Sequence, residues 1–288
     1  MPTDSASSTT VTLASALQQR YGDAAPALGA TVLHGDDVLQ QLLNHRSVRA
    51  YTTQPLADGT LERLVAAAQS AATSSNLHAW TVIAVQDPTR KARLAQLCGQ
   101  QAHVAHAPLF LVWLADLSRL DRNAQRQQRP ADANRYLEHF VLAVVDAALA
   151  AQNAVVAAEA MGLGTVYIGG LRNHADTVAA ELQLPAHVFP LFGLCVGHPD
   201  PAQPTAVKPR MPQPLVLHHE TYRAPDATPP EAEQIAQYDA ILQAFQRSQG
   251  LKPVGWSEVA AQRVAGPESL SGRDALQQFV RGQGFELL

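Results

Sequence analysis

Cysteine is scarce, with two in 288 residues. Cys98 and Cys195 stand far apart, with neither a CxxC nor a paired-histidine spacing, which excludes a disulfide framework and a zinc site. Both are expected to be small core residues in a reducing cytoplasm. Excess charge of one sign is missing too: 21 basic against 25 acidic residues leave a net charge of −4. That excludes a global pull toward nucleic acid or anionic membranes, so any anionic ligand must be held by a local basic cluster. The start, "MPTDSASSTTVTLASALQQRYG", lacks the basic opening and continuous apolar stretch of a signal peptide. It is expected to be a disordered lead-in with a short helix near Leu13 to Arg20. No long apolar run is evident either: the most apolar helical stretch, Phe140 to Val145, is cut by Asp146 and later by Gln152 and Asn153. A soluble, cytoplasmic protein is expected. Internal repeats, GxSxG, HExxH and HxH beside carboxylates are also absent, so neither a nucleophile constellation nor a metal site is indicated.

What is present is a chain 47% hydrophobic, long enough to bury a large core. Val38, Leu39, Leu42 and Leu43 recur at helical spacing after "GDD", whose carboxylates suit a helix start. Leu61, Leu64, Val65 and Ala68 mark a second helix that ends in "TSSN". "AWTVIAVQD" and "PLFLVWLAD" read as strands, with "PTRKARLAQLCGQ" as a helix between them. "SRLDRNA" and "QRQQRP" read as a polar loop, lying over a site or on the surface. Tyr136 to Met161 reads as one long alanine-rich helix, apolar on most sides and buried centrally. "FPLFGLCVGHP" is a further strand, and the prolines of "PDPAQPTAVKPRMPQP" predict an extended loop. A helical C-terminal part follows. In it Ile235, Tyr238, Ile241, Leu242 and Phe245 keep helical spacing, and "SGRDALQQFV" opens on a Ser cap. Four or so strands among more and longer helices predict an α+β or α/β fold.

"AMGLGTVYIGGLRN" resembles a nucleotide-binding glycine loop, but the order is reversed: a helix ends at "MGLG" and "TVYI" then runs as a strand into "GG". Gly162 suits a left-handed helix cap, and Gly162 and Gly164 read as structural punctuation. Gly169 and Gly170 follow the strand, where a missing side chain lets a flat ligand or another backbone come close, or simply allows a tight turn. "NHRSVR" gathers His45, Arg46, Ser47 and Arg49 into a phosphate clamp or a solvated basic turn. Lys208 and Arg210 could reach one anion from their proline-held loop. Thr73 to Asn76 offer either a helix-end turn or hydroxyls and backbone donors. Polar and cationic groups around glycines, without acid–base machinery, are what a cofactor-driven chemistry requires of its protein.

With those residues in view, the chain resembles the nitroreductase superfamily, and within it the oxygen-insensitive NADPH nitroreductase and NADPH–flavin oxidoreductase group. The resemblance runs from about His34 to Leu288 through "NHRSVRAY", "VVDAALAAQNAVVAAEAMGLGTVYIGGLRN", "FPLFGLCVGHP" and "VKPRMP". It implies an α+β flavoprotein with a central mixed sheet, residues 34–288 as one domain with a helical excursion over about 225–288, and an intertwined homodimer with FMN at each subunit boundary. It places His45, Arg46, Ser47, Arg49, Lys208 and Arg210 on the FMN phosphate and ribityl end. It lays Tyr167, Ile168, Gly169, Gly170 and Leu171 along the isoalloxazine, with Gln101 on the pyrimidine edge. Ser74, Ser75 and Asn76 would reach the flavin from the partner chain, and Glu138 would line the substrate side. Arg247 and Lys252 would grip the NADPH phosphates, with His103 nearby.

The implied reaction is ping-pong: NADPH passes hydride to flavin N5, leaves, and a nitroaromatic, quinone, azo compound or free flavin takes its place. A non-catalytic FMN-binding or redox-sensing protein of the same fold is the alternative. Lys252 stands where the family usually has Arg, giving a point charge in place of a fork, so NADH is an admissible reductant beside NADPH. Asn76 and His78 depart from the family's aromatic and glutamine, which bears on substrate choice. The extension over residues 1–33 has no family counterpart.

Overall fold

The computed structural model describes residues 12–25, 36–226 and 228–288. Of the N-terminal extension, residues 1–11 and 26–33 lie outside that description, as does the expected helix start at Gly35. In chain order the α-helices are α1 (Leu13–Tyr21), α2 (Asp36–Leu43), α3 (Thr60–Gln69), α4 (Pro88–Leu97), α5 (Ala102–His106), α6 (Ser118–Arg126), α7 (Leu137–Ala160), α8 (Ala175–Glu181), α9 (Glu231–Ser248), α10 (Trp256–Arg263) and α11 (Leu276–Gly282). The strands are β1 (Trp80–Val85), β2 (Leu109–Asp116), β3 (Gly164–Ile168) and β4 (Val188–Gly197). Two compact units result: residues 1–46 with 206–265, and residues 47–205 with 266–288.

The second unit carries the sheet, in the order β1-β2-β4-β3 with every named pair antiparallel. Its one parallel element among the described residues is the isolated bridge from Ser47 to Thr165. All eight residues of β2 are buried, which explains its unbroken apolar run. The β2–β4 register slips between Trp113 and Leu114, where Pro190 has no N–H to give the ladder. Next to it, the carbonyl of Leu191 accepts from Arg172 Nη1.

Helix α7 buries a face of small residues, Ala143, Ala147, Ala150, Ala151, Ala154 and Ala158, that lets β2 and α3 approach closely. Asn153 Nδ2 ties it to the Ala67 carbonyl at 3.2 Å. The expected central burial of this mostly apolar helix holds for one face only: Leu137, Val141, Val145 and Leu149, four apart, are each 44–50% exposed. The expectation of a stretch too short to span a membrane is corrected as well. By length and composition alone, Leu137–Ala160 is long and apolar enough, because its polar breaks are few. Asp146, the break at its middle, is satisfied by protein donors described below.

Two further expectations change. "SRLDRNA" is helical, not loop. Its mean hydropathy is low, but Leu120 packs against the core, and Asp116 Oδ1 accepts from both the N–H (3.0 Å) and the hydroxyl (2.6 Å) of Ser118, fixing the first turn. Good helix formers then carry it on. Ser271 does not cap a helix: its φ is +56°, and α11 starts only at Leu276, without a side-chain cap.

In the first unit, Ala16 and Leu17 of α1 pack against Leu43 of α2. Asp239 of α9 accepts from the Ser257 N–H at 3.0 Å and from its hydroxyl, fastening the start of α10. The prolines of 199–214 keep that stretch free of α-helix, as expected.

Candidate functional site

The second unit places several of the candidate residues along the edge strand β3. Ser47 and Val48 lie beside it, Val48 N–H donating to the Thr165 carbonyl at 2.8 Å, and further on Thr52 N–H donates to the His198 carbonyl, just past β4, at 3.0 Å. Tyr51 hydroxyl donates to the Val48 carbonyl at 2.7 Å, fixing the turn that presents Arg49. The approach depends on Gly164, where a Cβ would meet three carbons of Val48 at 2.6–2.8 Å. Arg49 is exposed and, among the described residues, has no carboxylate partner. Burial raises the Tyr51 hydroxyl far above its ordinary value, with the Arg49 charge pulling the other way. His103 shifts down through burial first, then through Arg49 and His106, so its imidazole is neutral near pH 7. Its Nε2 is buried with no hydrogen-bond partner among the described residues, as is Asn173 Oδ1. Orphaned buried polar atoms of this kind are ones a ligand can satisfy.

Beyond β3 the chain turns through Gly169–His174 in a 3-10 helix. Ile168 and Leu171 are 1% and 0% exposed in the core, so only their backbones could face a ligand. Gly170 is explained by protein contact: a Cβ there would lie 2.4 Å from the Cys98 carbonyl and 2.7 Å from Gln101 Nε2. Those two groups are bonded to each other at 2.7 Å, so the Gln101 amide braces the turn. Gly169 is open, with nothing nearer its missing Cβ than Arg172 Nη2 at 3.5 Å. Tyr167 stacks edge-on to Phe192 at 5.4 Å, and burial together with Glu159 raises its hydroxyl.

The "TSSN" segment has an anchor that sequence reasoning missed. Asp146 of α7, 2% exposed, accepts from Thr73 hydroxyl (2.5 Å), Ser74 N–H (3.1 Å) and Ala79 N–H (3.1 Å). Thr73 Oγ1 in turn accepts from His78 N–H at 2.9 Å. This carboxylate holds a loop in which Ser75, Asn76 and His78 all have φ near +50°. Left-handed backbone at a non-glycine residue costs roughly 1 kcal/mol, and such strain collects at functional sites. Ser74, Ser75 and Asn76 are exposed on it. Glu138 is exposed in the first turn of α7, where a carboxylate complements the helix dipole.

The first unit holds the other basic residues. His45 and Arg46 follow α2; Lys208 and Arg210 sit on the proline loop, where Tyr238 hydroxyl donates to the Pro209 carbonyl at 3.2 Å. Arg46 Nη1 donates to the Asn44 carbonyl at 3.2 Å. Arg46 and Arg210 are exposed and make no ion pair among the described residues. Arg247, in the last turn of α9, and Lys252 are both exposed on either side of Gly250, whose φ is +67°. Arg20 of α1, also missed by sequence reasoning, joins the two basic segments through backbone carbonyls.

An α+β unit with an antiparallel sheet, a long alanine-rich helix and a basic segment laid along a strand edge has the nitroreductase architecture. The chain belongs to the nitroreductase family. The Nitroreductase family description matches residues 42–198, and that of the Nitroreductase family C-terminal domain matches residues 208–288. An FMN reductase (NADPH) of Bacillus subtilis is 38% identical over 253 residues, covering 87% of this chain and 98% of that protein. An oxygen-insensitive NADPH nitroreductase of Salmonella typhimurium is 40% identical over 213 residues, covering 74% and 83%. The structure of NfrA2 from B. megaterium superposes with a TM-score of 0.81 at 35% identity, covering 88% of this chain and 99% of that one.

Proposed function

We propose that this chain is an FMN-dependent NAD(P)H oxidoreductase of the nitroreductase and flavin reductase type, acting in the cytoplasm. The observation that carries the reading is the set of exposed arginines, Arg46, Arg49 and Arg210, that have no carboxylate partner among the described residues, on braced backbone in a chain of net charge −4. Unpaired cations on fixed backbone suit an anion that the protein itself does not supply, and guanidinium matches phosphate oxygens two at a time. His45, Arg46, Ser47, Arg49, Lys208 and Arg210 would hold the FMN phosphate and ribityl end. The orphaned His103 Nε2 and the open Gly169 fit a bound polar, flat group better than an apolar core.

When bound, FMN supplies the hydride-accepting and hydride-donating centre at N5. The chain's residues bind and orient. Backbone at Tyr167–Leu171 would border the ring, and Arg247 and Lys252 would grip the phosphates of the reduced nucleotide, NADPH ahead of NADH. Glu138 would face the acceptor. Turnover would alternate reductant and acceptor at one face, which must therefore be open, with nitroaromatics, quinones, azo compounds or free flavin as acceptors. The exposed ridge Leu137, Val141, Val145 and Leu149 supports a homodimer, in which Ser74, Ser75 and Asn76 would serve the partner's flavin.

An anaerobic titration tests the reading. Purified yellow protein is expected to lose its visible flavin absorbance on addition of NADPH and to regain it on addition of a quinone or nitroaromatic. Yellow protein that does not bleach would establish the non-catalytic flavin-binding alternative, and colourless protein that takes up no FMN would overturn both.

A further inference from the structure

Helix α1 is the element of the first unit for which the resemblance offers no counterpart. Its Arg20 is only 4% exposed, and arginine is rarely buried so deeply unless its donors are satisfied. The guanidinium is a branch point. Nε and Nη2 donate to the Leu43 carbonyl at 3.1 and 2.5 Å, Nη2 to the His45 carbonyl at 2.8 Å, and Nη1 to the Lys208 carbonyl at 2.8 Å. The Arg20 carbonyl accepts the Arg210 N–H at 2.9 Å. Two segments more than 160 residues apart in the chain, distance 188 from Arg20 in one case and 25 in the other, are thereby bound to one planar group.

We infer that Arg20 is a positioning residue for the anion clamp formed by His45, Arg46, Lys208 and Arg210, so that the N-terminal helix is part of the cofactor-binding apparatus. This rests on the reading of those four residues as the FMN phosphate clamp. Cationic side chains gathered for one phosphate repel one another before the anion arrives, and their backbones relax apart unless something holds them. Arg20 holds them through backbone carbonyls, which attract its charge. Tyr238 fixes the peptide between Lys208 and Arg210, so carbonyl, carbonyl and N–H of three successive residues all have set partners. Preorganisation of this kind raises affinity by removing the ordering cost from the binding step. Its effect falls on the phosphate and not on the ring. The fork also matters: a lysine keeps the charge but cannot span three carbonyls in one plane.

The test is a competition. Wild-type holoprotein, Arg20→Gln and Arg20→Lys are each equilibrated with mixtures of FMN and riboflavin, and the bound flavins are separated and quantified. Wild type is expected to prefer FMN. Both variants are expected to lose about tenfold of that preference, the scale of one charge-assisted hydrogen-bond network, while retaining riboflavin. A role confined to general stability would weaken both flavins alike and leave the preference intact. Undiminished preference in Arg20→Gln, or full restoration in Arg20→Lys, overturns the inference. Should Arg20→Gln not fold, Arg20→Lys alone decides by the same criterion. A wild-type protein without preference for FMN over riboflavin would instead overturn the phosphate-clamp reading itself.

Discussion

A methyl group at residue 164 would sit 2.6–2.8 Å from Cβ and both γ carbons of Val48, a buried side chain in the segment that carries Ser47 and Arg49. Gly164→Ala must therefore push that segment off β3. Overpacking of this kind costs about 1–3 kcal/mol, so a lower thermal midpoint is expected together with reduced FMN retention on gel filtration. Full retention at unchanged stability would mean the segment shifts at no cost. The sequence marked Gly164 as punctuation between helix and strand, whereas Gly162 alone has the positive φ of a cap, at +74°. Gly170 was equally ambiguous, since "GG" after a strand admits a ligand or a backbone. The Cys98 carbonyl, 72 residues earlier, by itself requires a glycine there, and no local pattern could disclose that contact.

At the scale of elements, the segment from Thr73 to Ala79 and the middle of α7 form one device. Three donors converge on the Asp146 carboxylate, which both fills the polar break in an apolar helix and holds a loop with three left-handed residues. Asp146→Asn presents an NH2 group where donors already point. A loss of about 2–3 kcal/mol is expected from disrupted hydrogen bonds to a buried charged group, read as a lower denaturation midpoint. The exposed Ser74, Ser75 and Asn76 would lose their fixed geometry with it, so faster hydrogen exchange at Ser75 to His78 is the local readout. Unchanged exchange there would detach the loop's conformation from Asp146. In the sequence, Asp146 was visible only as an interruption, because its partners lie 67–73 residues away. Helix α6 was misread for another reason: its low mean hydropathy looks like a loop, although Leu120 packs against the core and Asp116 fixes Ser118 at its first turn.

At the scale of the molecule, the ridge Leu137, Val141, Val145 and Leu149 leaves large apolar side chains 44–50% exposed along the helix whose other face is the core. Residues of this size in a row mark an interaction surface more often than solvent-facing helix. If this ridge is the interface of the proposed homodimer, Val145→Glu is expected to give a monomer where the unaltered protein gives a dimer in light scattering after size exclusion, since a carboxylate buried against an apolar partner face has no counter-charge to meet it. A variant that remains dimeric would place the subunit interface elsewhere.

Composition and order along the chain determined the class: scattered strands among longer helices, a reversed glycine stretch that excluded a dinucleotide loop, and basic clusters whose types and spacings carried the family resemblance. Those are properties of neighbours in sequence, and they survive without knowledge of distant contacts. What only the tertiary structure decided was which groups hold those clusters in place. Arg20, Tyr238, Asp146 and Gly164 act through hydrogen bonds or a missing side chain toward residues far off in the chain. A hydrogen bond to a backbone carbonyl leaves no signature in the identity of the residue that accepts it, so these supports became legible only once the chain was folded.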